Sequence, residues 1–301
     1  MSFSADIKNE LCGVTPTQCC LKAEAFGLLL FGRSFSLNEI SFMTEQKSVA
    51  MRYCDTVRTL TGVIPVISCS KAGNYKIRIE SPEDRKKLLL FFGYTGKELA
   101  LRVNFSNFEN NDEECCFKSF IRGAFLACGS VSNPEKDYHL EFSVAKSKLC
   151  DDLMTVIEEA GLKVKKLRRS NGYLLYCKDA DGIEDFIGAM GANSAFFVMM
   201  ETRAFKTVKN RINRRMNFEA ANLSRTIETG MNQIDLINDV LKKISLDDMT
   251  EDLARLSLLR LDNPDLSLDA LGKLMNPPMS RSAVSRRFKK LRDIKKEVEN
   301  R

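Results

Sequence analysis

The chain has 301 residues, 44% apolar and 29% charged, proportions ordinary for a globular protein long enough to build two or three domains around a sizeable core. No window approaches roughly 18 uncharged apolar residues, and Met1–Glu10 lacks the basic-then-apolar layout of a signal peptide, so neither a membrane span nor export is expected and the protein is expected in the cytoplasm. Residues 1 to 191 hold 25 basic and 25 acidic side chains and residues 192 to 301 hold 21 and 15, so the whole net charge of +6 lies in the C-terminal third, the electrostatic footprint of nucleic-acid binding.

A short helix is predicted near Ser4 to Leu11. An apolar helix follows from about Cys19 to Gly32, then a strand around Ile40 and Phe42, and a helix from Ser48 to Leu60 with Val49, Tyr53, Val57 and Leu60 on one face. Two β-rich runs, Val63 to Cys69 and Asn74 to Ile79, are joined by a hairpin turn at Lys71-Ala-Gly-Asn74. Ser81 then caps a helix with Pro82 in its first turn.

The same order recurs. A helix is predicted from Glu114 to Cys128, a hairpin from Ser130 to Val144 and an amphipathic helix from Lys146 to Ala160 stopped by Gly161. A second hairpin, Val164 to Leu167 and Tyr173 to Cys177, turns at Ser170-Asn-Gly172, and a last helix lies near Gly182 to Met190. Shifted by 96 positions, Cys115, Cys116, Lys118, Gly123, Leu126 and Ser130 fall on Cys19, Cys20, Lys22, Gly27, Leu30 and Ser34: six identities in sixteen, where unrelated sequence gives about one. Each copy therefore reads αββαββα, and the acidic, Asn-rich Ser106 to Glu113 is the expected linker. A glycine in mid-helix costs about 1 kcal/mol against alanine, so the matched pair Gly27 and Gly123 points to two helix backbones in close contact.

All ten cysteines lie between Cys12 and Cys177, without a C-x-x-C pair, and the single histidine, His139, sits in an alternating strand-like run. The adjacent pairs at 19–20 and 115–116 open the two apolar helices, where reduced cysteine packs as a small hydrophobe. No disulfide, metal site or cofactor is assigned.

Basic residues gather in three places. Lys76, Arg78, Lys163, Lys165, Lys166, Arg168 and Arg169 lie on the second hairpins, where alternation turns every other one outward; they suit either a charge-blunted edge or a DNA backbone. A helical stretch from Ala195 to about Met216 carries Arg203, Lys206, Lys209, Arg211, Arg214 and Arg215 and leads into a stripe of Ile227, Met231, Ile234 and Leu241. It reads as a long connecting helix, with Lys206, Arg211, Arg214 and Arg215 as candidate phosphate contacts.

The third place is the C-terminus. Thr250 caps a helix that Asn263-Pro264 ends, Ser267 caps a short helix that Asn276-Pro-Pro278 ends, and Ser280 caps a third. There Val284, Phe288 and Leu291 share a buried face, and Ser282, Arg286 and Lys289 point away from it. The pattern is a helix-turn-helix. Ser282, Ser285 and Arg286 are candidates for base edges; Arg287, Lys289 and Lys290 suit phosphates, with Arg281 and Arg292 on the flank.

Two apolar helices packed through small residues resemble the LAGLIDADG homing-endonuclease core. With Arg122-Gly-Ala-Phe-Leu-Ala-Cys-Gly-Ser-Val131, Asn133-Pro-Glu-Lys136, Tyr138-His-Leu140, Arg211-Ile-Asn-Arg-Arg215 and the Pro277-Pro278-Met-Ser280 turn, the whole chain resembles the WhiA family, whose C-terminal domain is similar to the promoter-reading domain of sigma factors. The resemblance implies an α+β fold in three parts: a tandem LAGLIDADG-like domain over 1–192 (halves about 1–105 and 113–192), a basic helical linker over 193–245 and a helix-turn-helix domain over 246–301. In the cleaving enzymes the eighth motif position is acidic in each copy; here those positions hold Gly32 and Cys128, so a scaffold without nuclease activity is expected.

The implied function is a bacterial DNA-binding regulator of cell division, chromosome segregation or sporulation, a transcription factor at the nucleoid. Its expected partners are double-stranded DNA and the transcription machinery or another regulator. One alternative makes the tandem core a sensor of a ligand or protein and leaves DNA to the C-terminal domain; an active endonuclease is the other.

Overall fold

The structure, a computed structural model, describes residues 2–71, 73–108 and 115–299 and separates into two compact units, residues 1–206 and 207–301. The expected turn at 71–74, the linker 106–113 and the helix start at Glu114 lie partly or wholly outside the described residues.

The first unit is built twice on one plan. In the first copy α1 (Phe3–Cys12) and α2 (Gln18–Leu30) lead to β1 (Ser34–Phe35) and β2 (Ile40–Thr44). Then come α3 (Lys47–Thr61), β3 (Val66–Cys69), β4 (Tyr75–Arg78) and α4 (Pro82–Phe91). In the second, α5 (Cys115–Cys128) is followed by β5 (Gly129–Val131), β6 (Leu140–Val144), α6 (Ser147–Glu159), β7 (Lys165–Arg169), β8 (Gly172–Cys177) and α7 (Ala180–Met190). The strand orders correspond, β1-β2-β4-β3 and β5-β6-β8-β7, and every pair is antiparallel.

Local chemistry sets the boundaries. Ser81 caps α4 by accepting from the Asp84 amide at 3.3 Å, with Pro82 in the first turn, as its sequence predicts. Gly161 takes φ +76° and ends α6 in the left-handed region. Asp179 caps α7 through the Gly182 amide at 2.9 Å, which starts that helix two residues earlier than Gly182.

The halves meet along α2 and α5. A Cβ on Gly27 would overlap the carbonyl oxygen of Phe120, and one on Gly123 would overlap the carbonyl oxygen of Glu24. Only hydrogen fits at either position, so the two matched glycines set the approach of the backbones. Phe26, Phe120, Phe92 and Phe108 pack around the crossing with ring centroids 5.2–6.4 Å apart.

Helix α8 (Asn193–Leu241) begins on the first unit, where both Glu10 carboxylate oxygens accept from its first free amides, Ser194 at 2.6 Å and Ala195 at 3.0 Å. Its last turns enter the core of the second unit. The buried face there is Gly230, Gln233, Leu236, Ile237 and Val240. The expected stripe is thereby corrected: Ile227 and Met231 are exposed and Ile234 and Leu241 half-buried. Gly230 fixes the rotation, because the carbonyl oxygen of Pro264 occupies the space of its missing Cβ.

The second unit continues with a 3-10 turn at Leu246–Asp248, closed by a Ser245/Asp248 capping box, then α9 (Glu251–Asp262), α10 (Leu268–Leu274) and α11 (Arg281–Glu299). Thr250 precedes α9 but makes no side-chain cap. Leu236, Ile237, Val240, Leu253, Leu256, Met275, Val284, Phe288 and Leu291 form its core.

Candidate nucleic-acid interface

Ser267 accepts from the Ala270 amide at 3.2 Å and starts α10, and Ser280 accepts from the Ala283 amide at 3.3 Å and starts α11. Between them the chain turns against Gly272, whose carbonyl accepts from the Met279 amide at 2.8 Å. A side chain on Gly272 would run into the Met279 carbonyl, so this glycine makes the tight corner possible. Arg260, only 1% exposed, steadies the other side. One of its Nη atoms donates to the carbonyls of Asn263 (3.1 Å), Pro264 (3.4 Å) and Leu266 (2.7 Å), and its guanidinium stands 5.9 Å from the Phe288 ring centre.

Helix α11 is thus held by one face. Val284, Phe288 and Leu291 are fully buried, while Arg281, Ser282, Ser285, Arg286, Lys289, Lys290 and Arg292 are exposed. Ser282 shares a 3.0 Å hydroxyl contact with Ser280, and the Nε of Arg286 lies back on the Ser282 carbonyl at 3.4 Å, so both stand near the start of the helix. Arg287 differs from its neighbours. It is half-buried and pairs with Asp252 of α9 at 2.7 Å, fastening the helix to its own unit. Lys295 does the same further along, pairing with Asp239 of α8 at 2.7 Å.

Of the candidate contacts on α8, Arg211 and Arg214 are exposed. Arg215 pairs with Glu219 one turn on at 2.9 Å, and Lys206 lies against the Tyr138 ring, 5.0 Å from its centre.

Strand register sorts the basic hairpins. Lys76 and Arg78 pair with Met43 and Ser41 and with Ser68 and Val66, on the sheet face opposite the buried Phe42 and Ile77, with no acid among these partners. In the second sheet Lys165 and Arg169 share the outward face with Tyr176 and Glu141, and Glu141 takes Arg169 at 3.5 Å and His139 at 3.1 Å. Lys166 falls on the other face and pairs with Asp151 of α6 at 2.5 Å.

At the C-terminal ends of the crossed helices, Gly32 offers no side chain, and burial pushes the Cys128 thiol up to about 12, so it stays protonated. A hydrogen atom and a neutral thiol do not fit the hard-oxygen demand of Mg²⁺, and no cleavage step runs through these two positions.

Sequence reasoning missed two arrangements. Glu24, fully buried, accepts from Arg52 (2.6 and 3.0 Å) and from Arg122 (2.8 Å), and Arg122 also donates to the Met190 carbonyl at 3.0 Å. The second is a convergence of thiols: the Sγ atoms of Cys19, Cys20 and Cys115 lie within 4.8 Å of one another. The signal was available, since both cysteine pairs occupy equivalent positions in the repeat.

Residues 212–295 match the family described as "WhiA C-terminal HTH domain", and residues 117–209 match "WhiA LAGLIDADG-like domain". The chain is 34% identical to a protein of Carboxydothermus hydrogenoformans over 100% of its own length and 99% of that relative. It is 30% identical to one of Ruminiclostridium cellulolyticum over 99% and 98%; both carry the description "Probable cell division protein WhiA". Its fold is similar to the crystal structure of full-length WhiA from Thermotoga maritima, with a TM-score of 0.58 at 24% identity over 99% of each chain. A tandem LAGLIDADG-like domain joined to a helix-turn-helix, and relatives this similar from end to end, place the chain in the WhiA family.

Proposed function

We propose that this protein is a DNA-binding regulator in bacterial cell division, acting as a transcription factor on a core that does no nuclease chemistry. The observation that carries the reading is α11: one face is locked into the second core and the other presents hydroxyl and basic side chains beyond a tight corner, the arrangement that lets a recognition helix enter a major groove. Ser282, Ser285 and Arg286 read base edges; Lys289, Lys290 and Arg281 hold phosphates. We divide its work among a core over 1–192, a basic helix over 193–245 and a reader over 246–301 whose core takes in Leu236, Ile237 and Val240 from the end of that helix. Chromosome segregation and sporulation are the neighbouring roles this reading admits, with the nucleoid as the place of action and transcription machinery or a second regulator as the protein partner.

The test is binding of the intact protein and Arg286→Ala to genomic fragments at two salt concentrations with Mg²⁺ present. Selective binding that the variant weakens by about 1–3 kcal/mol, without cleavage, is expected. Binding indifferent to the variant would move the DNA site away from α11, and cleaved product would restore the nuclease.

A second reading, a sensing core, draws on a cleft of about 540 Å³ lined by residues including Arg33, Glu98, Ser143 and Lys146, a volume within the range of small-molecule sites. Lys76→Ala with Arg78→Ala separates the two. A flatter salt dependence supports a second DNA contact by the core, and an unchanged one favours sensing.

A further inference from the structure

Cys19 and Cys20 stand at the start of α2, and Cys115 and Cys116 at the start of α5. Because these helices cross about two turns further on, through Gly27 and Gly123, their first turns lie side by side and bring the thiols together. Cys20 is buried, and Cys19 and Cys115 remain half-exposed. The Cys20 thiol donates to the Cys115 carbonyl at 3.6 Å, and Cys19 Sγ lies 3.3 Å from the Thr17 hydroxyl. The buried Cys116 thiol also adjoins Cys19.

Packing cysteine as a small hydrophobe does not require three sulfurs to converge from two helices, nor leave two of them open to solvent. Zinc–sulfur bonds of about 2.3 Å in a tetrahedron place sulfur atoms about 3.8 Å apart, so no pair in the cluster has more than about an ångström to close around an ion. Sulfur donors select a soft or borderline cation and exclude Mg²⁺ and Ca²⁺.

We propose that Cys19, Cys20 and Cys115 bind a zinc ion that clasps the two halves of the repeat, with water in the fourth position. Each coordinated thiol releases its proton to solvent as its sulfur bonds to the metal, and no electron is exchanged. The local chemistry leans both ways in the empty cluster. The Thr17 hydroxyl and the neighbouring thiols draw Cys19 down, whereas burial pushes Cys115 up to about 12, which a bound cation would reverse. The site is independent of the DNA-binding reading and lies at the opposite end of α2 and α5 from Gly32 and Cys128.

The test uses the full-length, reduced, chelator-stripped protein titrated with Co²⁺ as a visible stand-in. One equivalent should give a thiolate-to-cobalt charge-transfer band and the strong visible bands of a tetrahedral site; Zn²⁺ should bleach both and raise the melting temperature. Cys19→Ser with Cys115→Ser should abolish the bands, and Cys69→Ser, an exposed cysteine on β3, should leave them unchanged. Cys19→Ser alone, at a half-exposed position, keeps the test readable should the double variant fail to fold; its charge-transfer band should weaken. Wild-type protein that shows no bands and no zinc-dependent melting shift overturns the proposal, as do bands that survive both cluster variants. A Cys20–Cys115 disulfide in protein that takes up no metal after reduction also overturns it.

Discussion

Glu24 and Arg122, 98 positions apart in sequence, meet at 2.8 Å inside the crossing of α2 and α5, where the carboxylate is fully buried. Arg52 approaches the same carboxylate from α3, so one acid serves two guanidinium groups. Removing one partner of a buried pair leaves charge without compensation, at a cost of about 3–5 kcal/mol. Glu24→Gln should therefore destabilise the first unit by that order, measured as faster amide exchange throughout α2 and α5 while α11 stays unchanged.

Gly123→Ala should force the two backbones apart, costing about 1–3 kcal/mol or more, because the added methyl runs into the Glu24 carbonyl rather than a movable side chain. Gly161→Ala is the contrast. Its φ is +76° but nothing lies within 4 Å of the new carbon, so only backbone strain of about 1–2 kcal/mol is expected. Urea denaturation of both variants would show the Gly161 change as the milder one.

Arg287→Ala and Arg286→Ala should part company. Arg287 is taken up by Asp252, and its loss should lower stability by about 0.2–1 kcal/mol with a smaller effect on DNA than loss of Arg286. Parallel melting and DNA titration of the two variants would reveal this, and equal DNA defects would return Arg287 to the binding face.

Asp239, held by Lys242 and then by Lys295 of α11, has its carboxyl lowered from 3.8 to about 2. Its contribution to stability is complete above 3.8 and disappears as pH falls through about 2. Asp239→Asn should melt below wild type at pH 7 and match it near pH 2, in thermal scans between those values.

Much of this was legible from residues that act locally. Ser81-Pro82, Gly161, Ser267 and Ser280 mark helix ends by their own chemistry, and the repeat of glycines 27 and 123 announced the crossing. What stayed hidden depends on partners far along the chain. Nothing near Glu24 in sequence announces Arg122, and the rotation of α8 is set by Pro264 against Gly230, which no periodicity of α8 alone contains. For the same reason nothing in the sequence set Arg287 apart from Lys289 and Lys290 as a phosphate candidate, although it pairs with Asp252 of α9.

Joining two copies in one chain releases them from the symmetry that two identical subunits must obey. The outward faces of the sheets already use that freedom: Lys76 and Arg78 stand without an acid among their strand partners, while Glu141 answers Arg169 across the other sheet. A surface built this way is lopsided by construction. It has a head and a tail, and can be suited to a target that is not a palindrome.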